Sequence, residues 1–211
     1  MSSAIKGVRH RKSRRGTAAG KRAKSEPRQS GLRLELELPQ GVQVEVDQKS
    51  GGALAVNGPQ GTVRRALMSP LVRITKESNK LVMESSRATK REKKQLYTLA
   101  AHARNMFRGA VEGHIYELKI CSVHFPMNVS VAGKEFIIKN FLGENAPRTL
   151  ALPEGVIVKV EGDVVRVESS DKELAGRVAS RIELLTRVTG RDRRVFQDGI
   201  FLTRKDGKPL L

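Results

Sequence analysis

The side chains able to do covalent or metal chemistry are few, and their spacing argues against catalysis. The chain has four histidines (His10, His102, His114, His124) and one cysteine, Cys121. None shows the Cys-x-x-Cys or His-x-x-x-His spacing that places two ligands on one metal. His10 lies in a basic segment, His102 in a helical pattern and His124 in a strand-like run, so a satisfied structural or surface histidine is expected at each. Nucleophile elbows, P-loops and dinucleotide fingerprints are missing. Glu35, Glu37, Glu45, Glu84 and Glu117 mostly alternate along strand-like runs as solvated partners instead of clustering around Mg²⁺. The expectation is no enzyme, with no catalytic residue, no metal site, no cofactor and no small-molecule substrate.

Charge points elsewhere. Forty Lys and Arg stand against 22 Asp and Glu, a formal +18, and the chain repels itself unless a polyanion neutralises it. Nucleic acid is the leading partner and an anionic membrane surface the rival. Half of the excess, +9, lies in residues 1–30, where Lys6, Arg9, Arg11, Lys12, Arg14, Arg15, Lys21, Arg22, Lys24 and Arg28 face one acid, Glu26. That arm lacks the apolar surface to offset ordering entropy, so it is expected to be disordered until bound. No apolar stretch approaches the length of a membrane span. Met1, Ile5 and Val8 make no secretory core. The arm is basic and contains serine like a mitochondrial presequence, but Gly7, Gly16, Gly20 and Pro27 oppose the amphipathic helix a presequence needs. A lone cysteine forms no internal disulfide; Cys121, in an apolar run, is expected to be a buried, inert thiol.

Four further places carry residues suited to phosphate. Gly58-Pro59-Gln60-Gly61 matches the Gly-x-x-Gly loop with which KH domains clamp RNA. Here it joins two strand-like runs instead of two helices, so a turn is the better reading. Arg64 and Arg65 follow it, either as phosphate contacts or as the solvated face of a strand. In Lys139-Asn140-Phe141-Leu142-Gly143-Glu144, Phe141 is either a core plug or part of a rigid protrusion that presents Lys139 and nearby Arg148. The stretch from Arg191 to Phe201 mixes Arg191, Arg193 and Arg194 with Phe196 and Phe201, and Arg204, Lys205 and Lys208 follow. Guanidinium groups pair phosphates and aromatic rings stack on bases. The candidate RNA-binding set is therefore Arg9, Arg11, Lys12, Arg14, Arg15, Lys21, Arg22, Arg64, Arg65, Lys139, Asn140, Phe141, Arg148, Arg191, Arg193, Arg194, Arg204 and Lys205.

The elements that must position these residues occur twice. Leu36–Val46 has a counterpart at Val123–Val131, with Pro39 on Pro126, Val42 on Val129 and Val44 on Val131. Each copy continues to a glycine turn, Val56–Gly61 and Ile138–Gly143, then to Pro70 or Pro153, and ends in a helical pattern. Such self-similarity indicates a duplicated domain. Period-two alternation from Leu32 predicts strands near 32–38, 42–46, 53–57, 62–67, 71–75 and 81–84, with a polar turn at Gln48–Gly52. The second copy predicts strands near 115–124, 128–132, 135–139, 148–151, 156–160 and 164–168. Apolar spacings of three and four predict helices over about 90–113, capped by Ser85 or Ser86 and ended by Gly113, and about 171–188, capped by Ser170 and ended by Gly190. The fold class is α+β: two tandem domains, 31–112 and 113–190, each an antiparallel sheet against one long helix. A basic N-terminal extension (1–30) precedes them and a basic C-terminal tail (191–211) follows.

Five segments in order carry a family resemblance: Asn57–Arg65, Ala103–Gly109, His124–Val129, Ile138–Glu144 and Asp198–Phe201. Together the chain resembles large-subunit ribosomal protein six over about residues 32–202. The likeness is to its archaeal and eukaryotic branch, whose eukaryotic members carry the number nine in older nomenclature. The resemblance implies two tandem α+β domains and a cytoplasmic place in the large subunit beside neighbouring ribosomal proteins. It also implies binding to 23S-type rRNA at the base of the factor-binding region, near the sarcin–ricin loop. Much of that contact belongs to the second domain and tail, here Lys139–Glu144 and Arg191–Phe201. The arm 1–30 has no counterpart in the family pattern. The bacterial tail pattern rich in Gly-Lys-Gly-Ile-Arg is replaced by Asp198-Gly199-Ile200-Phe201, which argues against a bacterial-type or organellar copy. The alternatives are an RNA-binding module outside the ribosome, in processing or chaperoning, and an enzyme acting on nucleic acid.

The arm yields the first prediction. Deleting residues 1–30 weakens assembly on RNA but leaves the circular dichroism spectrum of 31–211 folded; loss of that spectrum refutes a dispensable arm.

Overall fold

The computed structural model describes residues 31–47, 53–67 and 69–210. The arm with Arg9, Arg11, Lys12, Arg14, Arg15, Lys21 and Arg22, and the turn Gln48–Gly52, lie outside the described residues.

The first copy contains β1 (Leu32–Glu37), β2 (Gln43–Asp47), β3 (Ala53–Gly58), β4 (Gly61–Ala66), β5 (Arg73–Glu77), β6 (Lys80–Ser85) and α1 (Lys90–Val111). The second contains β7 (His114–Cys121), β8 (Asn128–Ala132), β9 (Glu135–Lys139), β10 (Arg148–Ala151), β11 (Val156–Glu161), β12 (Val164–Ser169) and α2 (Lys172–Leu185). Alternation explains the strands: Leu32, Leu34 and Leu36 turn toward the first core while Arg33, Glu35 and Glu37 face water, as a period of two requires. Where one sheet per copy was expected, each copy has two. Strand order β1-β6-β5 recurs as β11-β12-β7 read in reverse, and β2-β3-β4 recurs as β8-β9-β10. Adding six to each strand number of the first copy reproduces the second, so the duplication extends to hydrogen-bonded topology.

Leu96, Leu99, Ala100, Ala103, Met106, Phe107 and Ala110 bury one face of α1 in the first core; Val178, Ala179 and Ile182 of α2 do the same in the second. The caps differ from expectation. Thr89 precedes α1 without a side-chain cap bond. Asp171, not Ser170, caps α2 by accepting the Glu173 N–H at 2.9 Å. Gly113 does close α1, with φ +78° and its N–H on the Gly109 carbonyl. Helix α2 stops earlier than expected, at Leu185; Thr186, not Gly190, caps it, because the Thr186 hydroxyl is engaged with Glu183 O and Ile200 N–H.

The largest departure concerns 191–211. Residues expected as a basic tail form β13 (Gly199–Lys205), which pairs antiparallel with β7, and β14 (Lys208–Pro209). The second sheet thus has five strands, β11-β12-β7-β13-β14. Ile200 is fully buried in the second core. The short run Ile200-Phe201-Leu202 was long enough for a strand, but its partner, β7, lies some eighty positions upstream in the sequence.

The two copies pack through the end of α1. The β3–β4 hairpin turn at Gly58–Gly61 is a strand turn, not a KH-type loop, and its Gln60 N–H reaches the Ala110 carbonyl at 3.0 Å. A Cβ on Gly109 would fall inside van der Waals contact of the Ser170 carbonyl oxygen and press on the His114 ring. His114, fully buried, places Nδ1 2.8 Å from Asp206 Oδ1 and Nε2 3.0 Å from the Asn105 carbonyl oxygen. Arg108 and Lys172 each reach Asp206 Oδ2 at 3.2 Å. The backbone contact makes Gly109→Ala the sharpest probe. It should cost about 1–3 kcal/mol through forced overpacking, seen as a lower urea midpoint at constant m-value. An unchanged midpoint would mean the copies do not meet at Gly109.

Candidate nucleic-acid interface

Three segments of the second copy meet at one place: the turn 123–126, the loop after β9, and residues 191–198. The loop turns sharply because Asn140 (φ +60°), Leu142 (φ +50°) and Gly143 (φ +80°) all adopt left-handed conformations. Leu142 does so with a full side chain, a cost that packing must offset. Asn140 Nδ2 donates to the Pro126 carbonyl at 2.9 Å, and Phe125 lies close against Gly143. Lys139, the last residue of β9, is exposed.

Phe141 is the core plug. It is 1% exposed, which removes it from the set available to RNA. Arg148 is likewise occupied. Its Nε and Nη2 pair with both Glu144 oxygens at 2.8 and 2.6 Å, its Nη1 donates to the Leu185 carbonyl at 2.6 Å, and its guanidinium lies 4.3 Å over the Phe141 ring. It braces the loop and caps the end of α2. The Arg148 guanidinium in turn holds the Glu144 carboxyl below the usual range.

Residues 191–198 are stapled to the turn by Asp198. One carboxylate oxygen accepts the Val123 and His124 N–H groups at 2.6 and 3.0 Å; the other accepts His124 Nδ1 at 2.6 Å. Burial pushes this carboxyl up, but the His124 and Val123 hydrogen bonds outweigh it and hold it below the ordinary value. The His124 ring stacks on Phe196 at 4.7 Å, and the Arg191 guanidinium lies 4.9 Å from the same ring. Beside the stack, Val123, Leu184, Arg187, Arg193, Phe196 and Phe201 line an open groove of about 710 Å³. Arg193 and Arg194 face solvent, Arg194 being 90% exposed while paired with Asp192 at 2.8 Å.

The structure therefore brings Asn140 of the loop and the arginines Arg191, Arg193 and Arg194 to the turn 123–126, while Lys139 is exposed where β9 enters the loop. It does not bring Arg64, Arg65, Arg204 or Lys205 there. Arg65 forms a strut to Glu173, which His102 also approaches at 3.7 Å; the pair joins β4 to α2. Arg64 is exposed and 3.8 Å from Asp47. Arg204 pairs with Glu117 at 3.5 Å, and Lys205 is exposed near the β13–β14 turn. Cys121, expected to be buried, is only partly buried, on the groove wall. Arg187 carries no sequence signal, and His124, Phe196 and Asp198 are legible only as a strand-like histidine, a tail aromatic and part of a motif, not as partners of one another. His-Phe-Pro and Asp-Gly-Ile are visible as motifs, but nothing local says that Asp198 closes on His124, 74 positions away.

Comparison with known proteins sharpens the picture. A family model described as ribosomal protein L6 matches residues 38–113 and again 125–199, once per copy. The chain belongs to the ribosomal protein L6 family. Archaeal relatives extend the likeness to most of the molecule. It is 42% identical over 179 residues to the large ribosomal subunit protein uL6 of Methanococcus vannielii, covering 85% of this chain and 97% of that one. Similarity to the uL6 proteins of Sulfurisphaera tokodaii and Nanoarchaeum equitans is 41% identity over 173 and 188 residues; coverage is 82% and 85% of this chain, and 91% and 96% of theirs. Among the described residues of this L6-family chain, no group of three or more His, Cys, Asp or Glu is placed to hold a metal ion. No described helix is long and apolar enough to cross a membrane.

Asp198→Asn tests the staple. Leaving backbone N–H groups without the charged acceptor should cost about 2 kcal/mol at pH 7. Because the folded carboxyl is held low, its contribution is complete above the unfolded value of about 3.9 and fades as pH falls further. The stability gap between wild type and variant should therefore narrow below about pH 4. A gap that stays constant from pH 7 down to acid unfolding contradicts a charged Asp198.

Proposed function

We propose that this protein is a structural, non-enzymatic constituent of the large ribosomal subunit. In this reading its second domain binds 23S-type rRNA near the base of the factor-binding region and the sarcin–ricin loop. The observation that supports it is the surface where exposed Arg191, Arg193 and Arg194 flank the His124–Phe196 stack, with Lys139 exposed at the start of the loop after β9, on a chain with +18 of charge. The archaeal relatives named as large-subunit proteins support the ribosomal setting. Folded rRNA offers mainly phosphates, 2′-hydroxyls and shape, so arginine forks and a fixed backbone suit it better than base-edge reading. The internally paired Arg148 and Arg65 then position the surface instead of touching RNA, and residues 1–30 extend the contact between rRNA helices. The two α+β units act as one spacer between rRNA and neighbouring ribosomal proteins in the cytoplasm.

Neutralising about six phosphates should give a slope of log affinity against log salt of roughly −4 to −5 on an rRNA fragment. A flat salt response defeats the proposal. On a high-salt sucrose gradient the protein should stay with large subunits; recovery only in free fractions favours an RNA-processing or chaperone module.

A further inference from the structure

The solvent face of α1 is unlike a face selected for helix stability. Lys90, Lys94, Tyr97, Ala101, Arg104 and Arg108 recur every three or four residues and are all exposed, with Lys93 beside them. At 1.5 Å per residue this stripe runs about 27 Å along the helix. Within Lys90–Val111 the only acid is Glu92, which is buried on the opposite side. Lys90, Arg91, Lys93, Lys94 and Arg104 have no ion-pair or side-chain hydrogen-bond partner among the described residues. Four of these cations occupy the first turn and a half, where the helix dipole is positive and acids are the stabilising choice. A local rule broken this way marks a functional surface more often than a structural one. Tyr97, 55% exposed, stands mid-stripe, where an aromatic ring adds a flat contact among the charges.

We propose that this face of the first domain is a second RNA-binding surface, which holds a run of backbone phosphates along a helical RNA. Arg108, at the C-terminal end, pairs with Glu112 and Asp206; the unpaired cations from Lys90 to Arg104 still span about 21 Å and are complementary to a polyanion of that length. A lipid surface is disfavoured, because the apolar face of α1 is committed to the first core and Tyr97 alone remains to enter a bilayer. The choice of RNA as the polyanion rests on the ribosomal reading above; the location of the surface does not.

The test uses the full chain, a 20-base-pair RNA duplex and polyglutamate as probes, and two variants. One is Lys93→Gln/Lys94→Gln/Arg104→Gln on the stripe; the other is Arg191→Gln/Arg193→Gln/Arg194→Gln on the second domain. The stripe variant should bind the duplex about tenfold more weakly at 0.15 M salt, with the salt slope reduced by about 2 to 3. Its melting temperature should be unchanged or raised, since first-turn cations are removed. A stripe variant with wild-type affinity and slope, while the second-domain variant loses binding, overturns this proposal and leaves the ribosomal reading intact. Wild-type protein that ignores the duplex and large subunits alike overturns both. Polyglutamate held as tightly as the duplex, and lost in the stripe variant, overturns the assignment to RNA in favour of an acidic protein segment.

Discussion

The Asp206 carboxylate accepts from His114, Arg108 and Lys172, which belong to the first strand of the second copy, the helix of the first copy and the helix of the second. Asp206 itself sits in the β13–β14 turn with φ +56°. Burial pushes its carboxyl up, and the His114 and Lys172 hydrogen bonds more than reverse that, so the group is held below its ordinary value. Breaking such a buried cluster by removing one partner costs far more than an exposed pair. This cluster ties the helix of the first copy to the first strand and the helix of the second. It also explains why β13 belongs to the second sheet: the turn that ends it is anchored on both copies.

Within that frame, arginines divide into two classes by their environment. Arg148 spends its whole fork on Glu144 and the Leu185 carbonyl, and Arg65 commits one guanidinium nitrogen to Glu173. Arg193 and the α1 cations Lys90, Arg91, Lys93, Lys94 and Arg104 face water. The distinction matters because a guanidinium already saturated by protein acceptors has little to offer a phosphate. Basic composition is thus not a map of the binding surface.

The duplication places the same topology in two electrostatic settings. In the second copy, β13 covers the edge of β7 and brings residues 191–198 against the turn 123–126, which Asn140 of the loop after β9 also holds. Strand β1, the counterpart of β7, has a described partner only in β6. One ancestral unit therefore supports a compact stapled surface in one copy and a long charged helix face in the other. An exposed ion pair such as Lys134–Glu154 contributes little to stability.

Periodicity in the chain was enough to place every strand of both copies within a few residues, because alternate burial leaves a direct mark on residue type. Spacings of three and four marked both helices, self-similarity marked the duplication, and composition alone carried the +18 excess. Cap choice was decided by competition among neighbouring hydroxyls and carboxylates, which local sequence does not rank. Phe141 as a plug, Arg148 as a brace, β13 as a sheet strand and Asp198 as a staple were decided only by tertiary contact. Arg148 reaches Leu185 across 37 positions, Asp198 reaches His124 across 74, and the Arg65 strut reaches Glu173 across 108. Side-chain type announces what a residue is able to bond; the folded chain alone determines which acceptor reaches it first.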